Sequence, residues 1–172
     1  MSIISQKICL IGDFSVGKTS LIRRFVEDKF SDRYLTTIGV KVSRKSVVVK
    51  SDSVNLLIWD IEGHTKQKSI STSYLKGASG AIIVGDLTRN NTLQNLTTHL
   101  KLFTEINPQS KIIVAFNKAD LVAADKLDKL VELYNCNRYE QVLNTYTTSA
   151  KTGRCVEAIF FELASCLIES QN

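Results

Sequence analysis

Apolar residues along the chain fall into two kinds of run. Short, nearly unbroken runs lie at Ile3 to Ile11, at Val54 to Trp59, at Gly80 to Gly85 around Ala81-Ile82-Ile83-Val84, and at Lys111 to Phe116 around Ile112-Ile113-Val114-Ala115. Val40 to Lys50 alternates and is rich in β-branched residues, and a last run covers Val142 to Thr148. Such runs predict strands, and runs this short and this apolar predict strands buried on both faces. The second kind repeats at helical spacing. Ser20 to Val26 carries Leu21, Ile22, Phe25 and Val26, and Thr92 to Ile106 carries Leu93, Leu96, Leu100, Phe103 and Ile106 before Pro108 stops it. Asp125 to Tyr134 carries Leu127, Leu130, Val131 and Tyr134, and Val156 to Ile168 carries Ile159, Phe160, Leu163 and Leu167.

Strands alternating with helices predict βαβ units, hence an α/β fold with a mainly parallel sheet and helices on both faces. In such a sheet ligands bind beyond the carboxyl ends of the strands. Gly12, Asp60, Asp86 and Asn117 each close an apolar run, which places them at one shared site. The polar stretches Ser31 to Thr37 and Thr65 to Ser73 read as mobile loops. With 172 residues and no repeat or linker, the chain reads as a single domain over 1–172.

Composition narrows this little. Hydrophobic residues make up 44% and charged residues 23%, as in soluble globular domains. The net charge of +5 sits in no long basic block, so a solvated surface is expected rather than nucleic-acid binding. Cys9, Cys136, Cys155 and Cys166 form no metal-binding spacing, and Cys9 and Cys166 read as small core residues. A reducing compartment, the cytoplasm, is expected. No run is long enough to span a membrane, and Ser2 replaces the glycine that myristoylation needs.

The chemistry lies in the motifs. Gly12-Asp13-Phe14-Ser15-Val16-Gly17-Lys18-Thr19, with Ser20 next, matches G-x-x-x-x-G-K-[ST] between a strand and a helix. Glycines let the backbone wrap phosphates with its N–H groups, the lysine reaches the β- and γ-oxygens, and the threonine hydroxyl ligates Mg²⁺. The motif predicts a nucleoside triphosphate without naming the base. Asn117-Lys118-Ala119-Asp120 does that: a carboxylate accepts from two N–H groups of guanine, a pair that adenine does not offer. Asn117 can tie this loop to the phosphate loop, and the Lys118 stem can lie on the purine. Ser149-Ala150-Lys151 follows the last strand; there the Ala150 N–H would meet the guanine O6, and Lys151 would cover the other ring face. Asp60 would hold Mg²⁺ through water, and the Gly63 N–H can bond a γ-phosphate and lose that bond on hydrolysis. Phe30 either packs edge-on against guanine or closes the core face of the first helix.

These motifs together resemble the Ras superfamily of small GTPases, and its Rab branch most. G-D-x-x-V-G-K-T-S-L, T-I-G-V, W-D-x-x-G, S-Y-x-x-G-A-x-G, N-K-x-D and S-A-K occur in the family's order and cover nearly the whole chain. The resemblance implies the three-layer P-loop nucleoside-triphosphatase fold, with a six-stranded sheet and about five helices. It implies GTP or GDP with Mg²⁺, and switch loops at about Phe30–Gly39 and Asp60–Lys76. Effectors, exchange factors and GTPase-activating proteins would meet a monomer at those loops. It favours Thr37 over Thr36 as the metal-binding and γ-phosphate-sensing threonine, because Ile38-Gly39 follows it.

The chain departs from the family at four places. Asp60-Ile61-Glu62-Gly63-His64 stands where D-T-A-G-Q is usual, so His64 replaces the glutamine that orients the attacking water. Phe14 occupies the phosphate-loop position nearest the γ-phosphate, where its ring either crowds the ligand or turns outward. Gln67 replaces an apolar effector-binding residue, and no terminal cysteine motif for prenylation is present, so no direct lipid anchor is expected. The expectation is a GTP-driven switch with slow intrinsic hydrolysis, in which Lys18, Thr37, Gly63 and His64 bear on catalysis. The alternative is a scaffold that holds GTP without hydrolysing it.

Overall fold

A computed structural model describes residues 3–170. Ser2 and Gln171-Asn172, which bear on lipid attachment, lie outside the described residues. The strands are β1 (Ile3–Gly12), β2 (Val40–Val49), β3 (Asp52–Ile61), β4 (Gly80–Asp86), β5 (Lys111–Asn117) and β6 (Val142–Thr147). The α-helices are α1 (Lys18–Glu27), α2 (Asn90–Gln94), α3 (Leu96–Ile106), α4 (Ala124–Tyr134) and α5 (Val156–Glu169). One six-stranded sheet has the order β2-β3-β1-β4-β5-β6. Among the described residues only the β2–β3 pair is antiparallel, a hairpin turned at Lys50.

The apolar runs explain the layers. In β1, Ile8 and Leu10 face one layer while Cys9 and Ile11 face the other, and β4 divides Ile82 and Val84 from Ala81 and Ile83 in the same way. The first layer packs under α1 and α5, where Phe25 and Phe160 stack with ring centroids 4.1 Å apart. The second packs under α2, α3 and α4 through Leu96, Leu100, Phe103, Leu127 and Leu130. Burying such side chains contributes about 1.5–3 kcal/mol each.

Three expectations are corrected. The helical pattern from Thr92 to Ile106 is two helices, because Asn95 breaks the segment while its apolar period continues. Burial on both faces holds for β4, β5 and the second half of β1; β2 and β6 are sheet edges and stay partly exposed. Cys166 is half-buried on α5, whereas Cys9 and Cys136 are the buried thiols. Burial pushes the Cys9 thiol up to about 12, against the pull of Lys7.

The register carries the site. Leu10 pairs with Asp60, Gly12 with Val84, and Asp86 with Asn117, so the strand ends that close on chemistry lie side by side.

Candidate nucleotide-binding site

A cleft of about 330 Å³ opens at these strand ends, between the Gly12–Thr19 loop, the segment before β2, and the loops after β5 and β6. The loop's shape follows from close approaches. A Cβ on Gly12 would lie 2.4 Å from the Val84 carbonyl oxygen, and Gly17 adopts φ 102° at the start of α1. Glycine adopts that left-handed backbone without the cost other residues bear.

Lys18 is buried beneath this loop, and its Nζ donates to the carbonyls of Asp13 (3.0 Å) and Gly12 (3.3 Å). Burial lowers its pKa to about 8, while Asp60 and Asp13 oppose the shift. A cation kept here suits a polyanionic ligand.

Three oxygen-bearing side chains meet beside it. Thr19 Oγ1 donates to Asp60 Oδ2 at 2.5 Å, Thr37 Oγ1 donates to the same Oδ2 at 3.2 Å, and the two hydroxyls are 2.7 Å apart. Asp60 Oδ1 is buried with no hydrogen-bond partner among the described residues. Burial raises the Asp60 pKa, opposed by the Thr19 bond and by Lys18. One carboxylate with an unsatisfied oxygen and two hydroxyls fit Mg²⁺, which takes few protein ligands and completes its shell with phosphate and water. Among the described residues no cluster of three His, Cys, Asp or Glu side chains offers a rival metal site.

The base end of the cleft is equally ordered. Asn117 Nδ2 donates to the Val16 carbonyl at 3.0 Å and its Oδ1 accepts from Thr148 Oγ1 at 3.1 Å. Lys118, at φ 65°, sends Nζ to the Ser15 carbonyl at 3.1 Å. Asp120 Oδ1 accepts from Ser149 Oγ at 2.7 Å, and Ala150 and Lys151 line the same wall. Phe30 lines the cleft and also packs on the core layer under α1. Thr36 does not line this cleft; Thr37 does.

The second switch segment sits against the phosphate loop. His64 N donates to the Gly12 carbonyl at 3.1 Å, and Phe14 N donates to the His64 carbonyl at 2.9 Å. A Cβ on Gly63 would lie 2.5 Å from Phe14 Cα, so this approach needs glycine. Gly63 lines the cleft but His64 does not: its ring lies edge-on to His99, with centroids 5.6 Å apart. Phe14 is 39% exposed at the cleft rim, 5.4 Å from the Tyr34 ring.

Several residues that hold the site are absent from the motifs. Asp86, fully buried at the end of β4, accepts from Lys118 Nζ at 2.7 Å and from Arg89 Nε at 3.0 Å. Arg89 Nη2 then donates to the Phe14 carbonyl at 2.7 Å. Burial raises the Asp86 pKa, but bonds from Lys118 and Thr88 outweigh it, and the group lies below the usual carboxylate range. Arg24 on α1 donates to the Ala150 and Lys151 carbonyls at 2.8 and 2.5 Å. Glu62 exchanges bonds with Gly39, giving its N–H to the Gly39 carbonyl and accepting the Gly39 N–H on Oε2, which clips the two switch segments together. An acidic residue closing a buried strand was the one available signal, and it pointed to Asp86.

A sequence model of the Ras family matches residues 7–169. Ras-related protein SEC4 of Saccharomyces cerevisiae is 36% identical over 169 residues, covering 95% of this chain and 75% of its own length. Ras-related protein SEC4 of Candida albicans is 32% identical over 167 residues, covering 95% and 78%. Ras-related protein Rab-13 of Bos taurus is 35% identical over 160 residues, covering 92% and 77%.

Proposed function

The chain belongs to the Ras family as a Rab-like, GTP-hydrolysing switch protein, and from that premise we propose which of its residues perform each task and that its intrinsic hydrolysis is slow. The observation that carries the assignment is that Lys18, Thr19, Thr37 and Asp120 line one cleft, with Asp60 bonded to both threonine hydroxyls.

The Gly12–Thr19 backbone N–H groups and the Lys18 ammonium bind the phosphates and stabilise charge that develops on them during transfer. Thr19, Thr37 and Asp60 hold Mg²⁺, which when bound neutralises charge on the phosphate oxygens. Asp120 selects guanine, while Asn117, Lys118 and the Ser149–Lys151 loop fix its plane. Thr37 and Gly63 sense the γ-phosphate, so the segments Phe30–Gly39 and Asp60–Lys76 change with nucleotide state and present that state to effector, exchange and activating proteins. The slow rate is supported by two facts: His64 replaces the expected glutamine, and its ring lies outside the cleft against His99.

Denaturing the purified protein and chromatographing the supernatant tests the class, with GDP or GTP expected in near-stoichiometric amount. Single-turnover hydrolysis then separates the slow enzyme from the scaffold. Slow but complete conversion fits the proposal, and GTP that persists unhydrolysed establishes the scaffold instead.

A further inference from the structure

The side of the phosphate loop turned away from the cleft carries a cluster of side chains that do not line it. Asp13 is buried there at 6% exposure. Its Oδ1 lies 2.7 Å from His99 Nε2, and its Oδ2 accepts from Asn95 Nδ2 at 2.7 Å. Asn95 is the residue at which α2 gives way to α3, and His99 stands one turn later, its N–H on the Asn95 carbonyl. His99 is itself 3% exposed, so it is held by Asp13 on one side and packed on the others. The ring it meets is that of His64, 5.6 Å away at 66°, the geometry of an edge-to-face pair.

His64 is pinned through its backbone as well, by the two bonds that pair it with the phosphate loop. With that backbone fixed, only the two side-chain torsions choose between the cleft and the His99 side. We propose that His99, anchored by Asp13 and Asn95, is a positioning residue that parks the His64 ring behind the phosphate loop and thereby restrains GTP hydrolysis. A proton relay from His64 through His99 to Asp13 is the rival use of these groups. No hydrogen bond joins the two rings, which favours parking over relay.

The inference rests on reading the cleft as a GTPase site, so its test has one arm that needs no hydrolysis. In the wild-type protein as purified, NMR should show a nuclear Overhauser contact between carbon-bound protons of the His64 and His99 rings. In His99→Gln, whose amide still reaches Asp13, the His64 amide should exchange about two- to tenfold faster, the range such a ring pair contributes. The second arm is single-turnover hydrolysis by wild type, His99→Gln, His64→Gln and the double variant. His99→Gln should raise the wild-type rate about two- to tenfold and leave the His64→Gln rate unchanged, since a glutamine is not held by the ring contact. A missing ring contact, or an equal effect of His99→Gln in both backgrounds, overturns the proposal. A rate that falls in His99→Gln overturns it in favour of the relay. A preparation that binds no guanine nucleotide refutes the GTPase reading, while the ring contact and amide exchange still decide the parking.

Discussion

Gly17 and Asn117 compete for one space: a Cβ on Gly17 would lie 2.3 Å from Asn117 Nδ2, the atom that ties the base-reading loop to the phosphate loop. Gly17→Ala therefore brings a clash and a left-handed backbone penalty of about 1–2 kcal/mol together. We expect at least about a tenfold loss of GDP affinity, measured by displacement of a fluescent nucleotide analogue; unchanged affinity would show that the two loops are independent.

Asp120→Asn should exchange base preference. In the proposed site the wild-type carboxylate would accept two N–H groups of guanine, whereas the amide would offer a donor to the C2 carbonyl of xanthine. Losing a charge-assisted contact costs about 1.5–3 kcal/mol, so GTP affinity should fall roughly ten- to hundredfold as XTP affinity rises. Competition among GTP, ATP and XTP checks both directions.

Acid stability should depend on Asp13. Burial raises its pKa, but bonds from His99 and Asn95 and the nearby imidazoles outweigh this and leave it below its ordinary value of 3.8. A carboxylate with a depressed folded pKa contributes stability that is present above its unfolded pKa and is lost as pH falls through the folded one. Asp13→Asn should thus lower the Tm clearly above about pH 5, with the gap to wild type closing toward pH 3; a gap constant with pH would place the effect in packing rather than charge.

His64→Gln should speed intrinsic hydrolysis by roughly tenfold, because an amide on a longer, flexible stem both donates to and accepts from an in-line water. Single-turnover kinetics read this directly. A fast wild type slowed by the substitution would make the histidine a general base.

Much of this was legible along the chain, for a physical reason. Strands buried on both faces leave unbroken apolar runs, and the residues that end them (Gly12, Asp60, Asp86, Asn117) lie at the ligand-facing edge. The break at Asn95 was not legible, because Leu93, Leu96, Leu100 and Phe103 keep their spacing across it. Nor were the holding residues: Arg24 and Arg89 look like surface cations until the fold brings carbonyls to them. His99 left a faint mark, a polar residue between Leu96 and Phe103 on the buried face of α3, whose partner lies 86 positions away.

Because the cleft draws Lys18 from α1, Ile61 from β3, Asn117 from β5 and Lys151 from beyond β6, no short fragment of the chain contains it. Binding is therefore thermodynamically linked to assembly of the whole sheet. A ligand at a hundred times its dissociation constant adds about 2.7 kcal/mol to the free energy of unfolding. In this protein that increment falls on the sheet as a unit, so the nucleotide works as a non-covalent cross-link between distant parts of the chain. Its release should loosen β6 and α5 against heat and proteases as surely as it frees the loops that touch it.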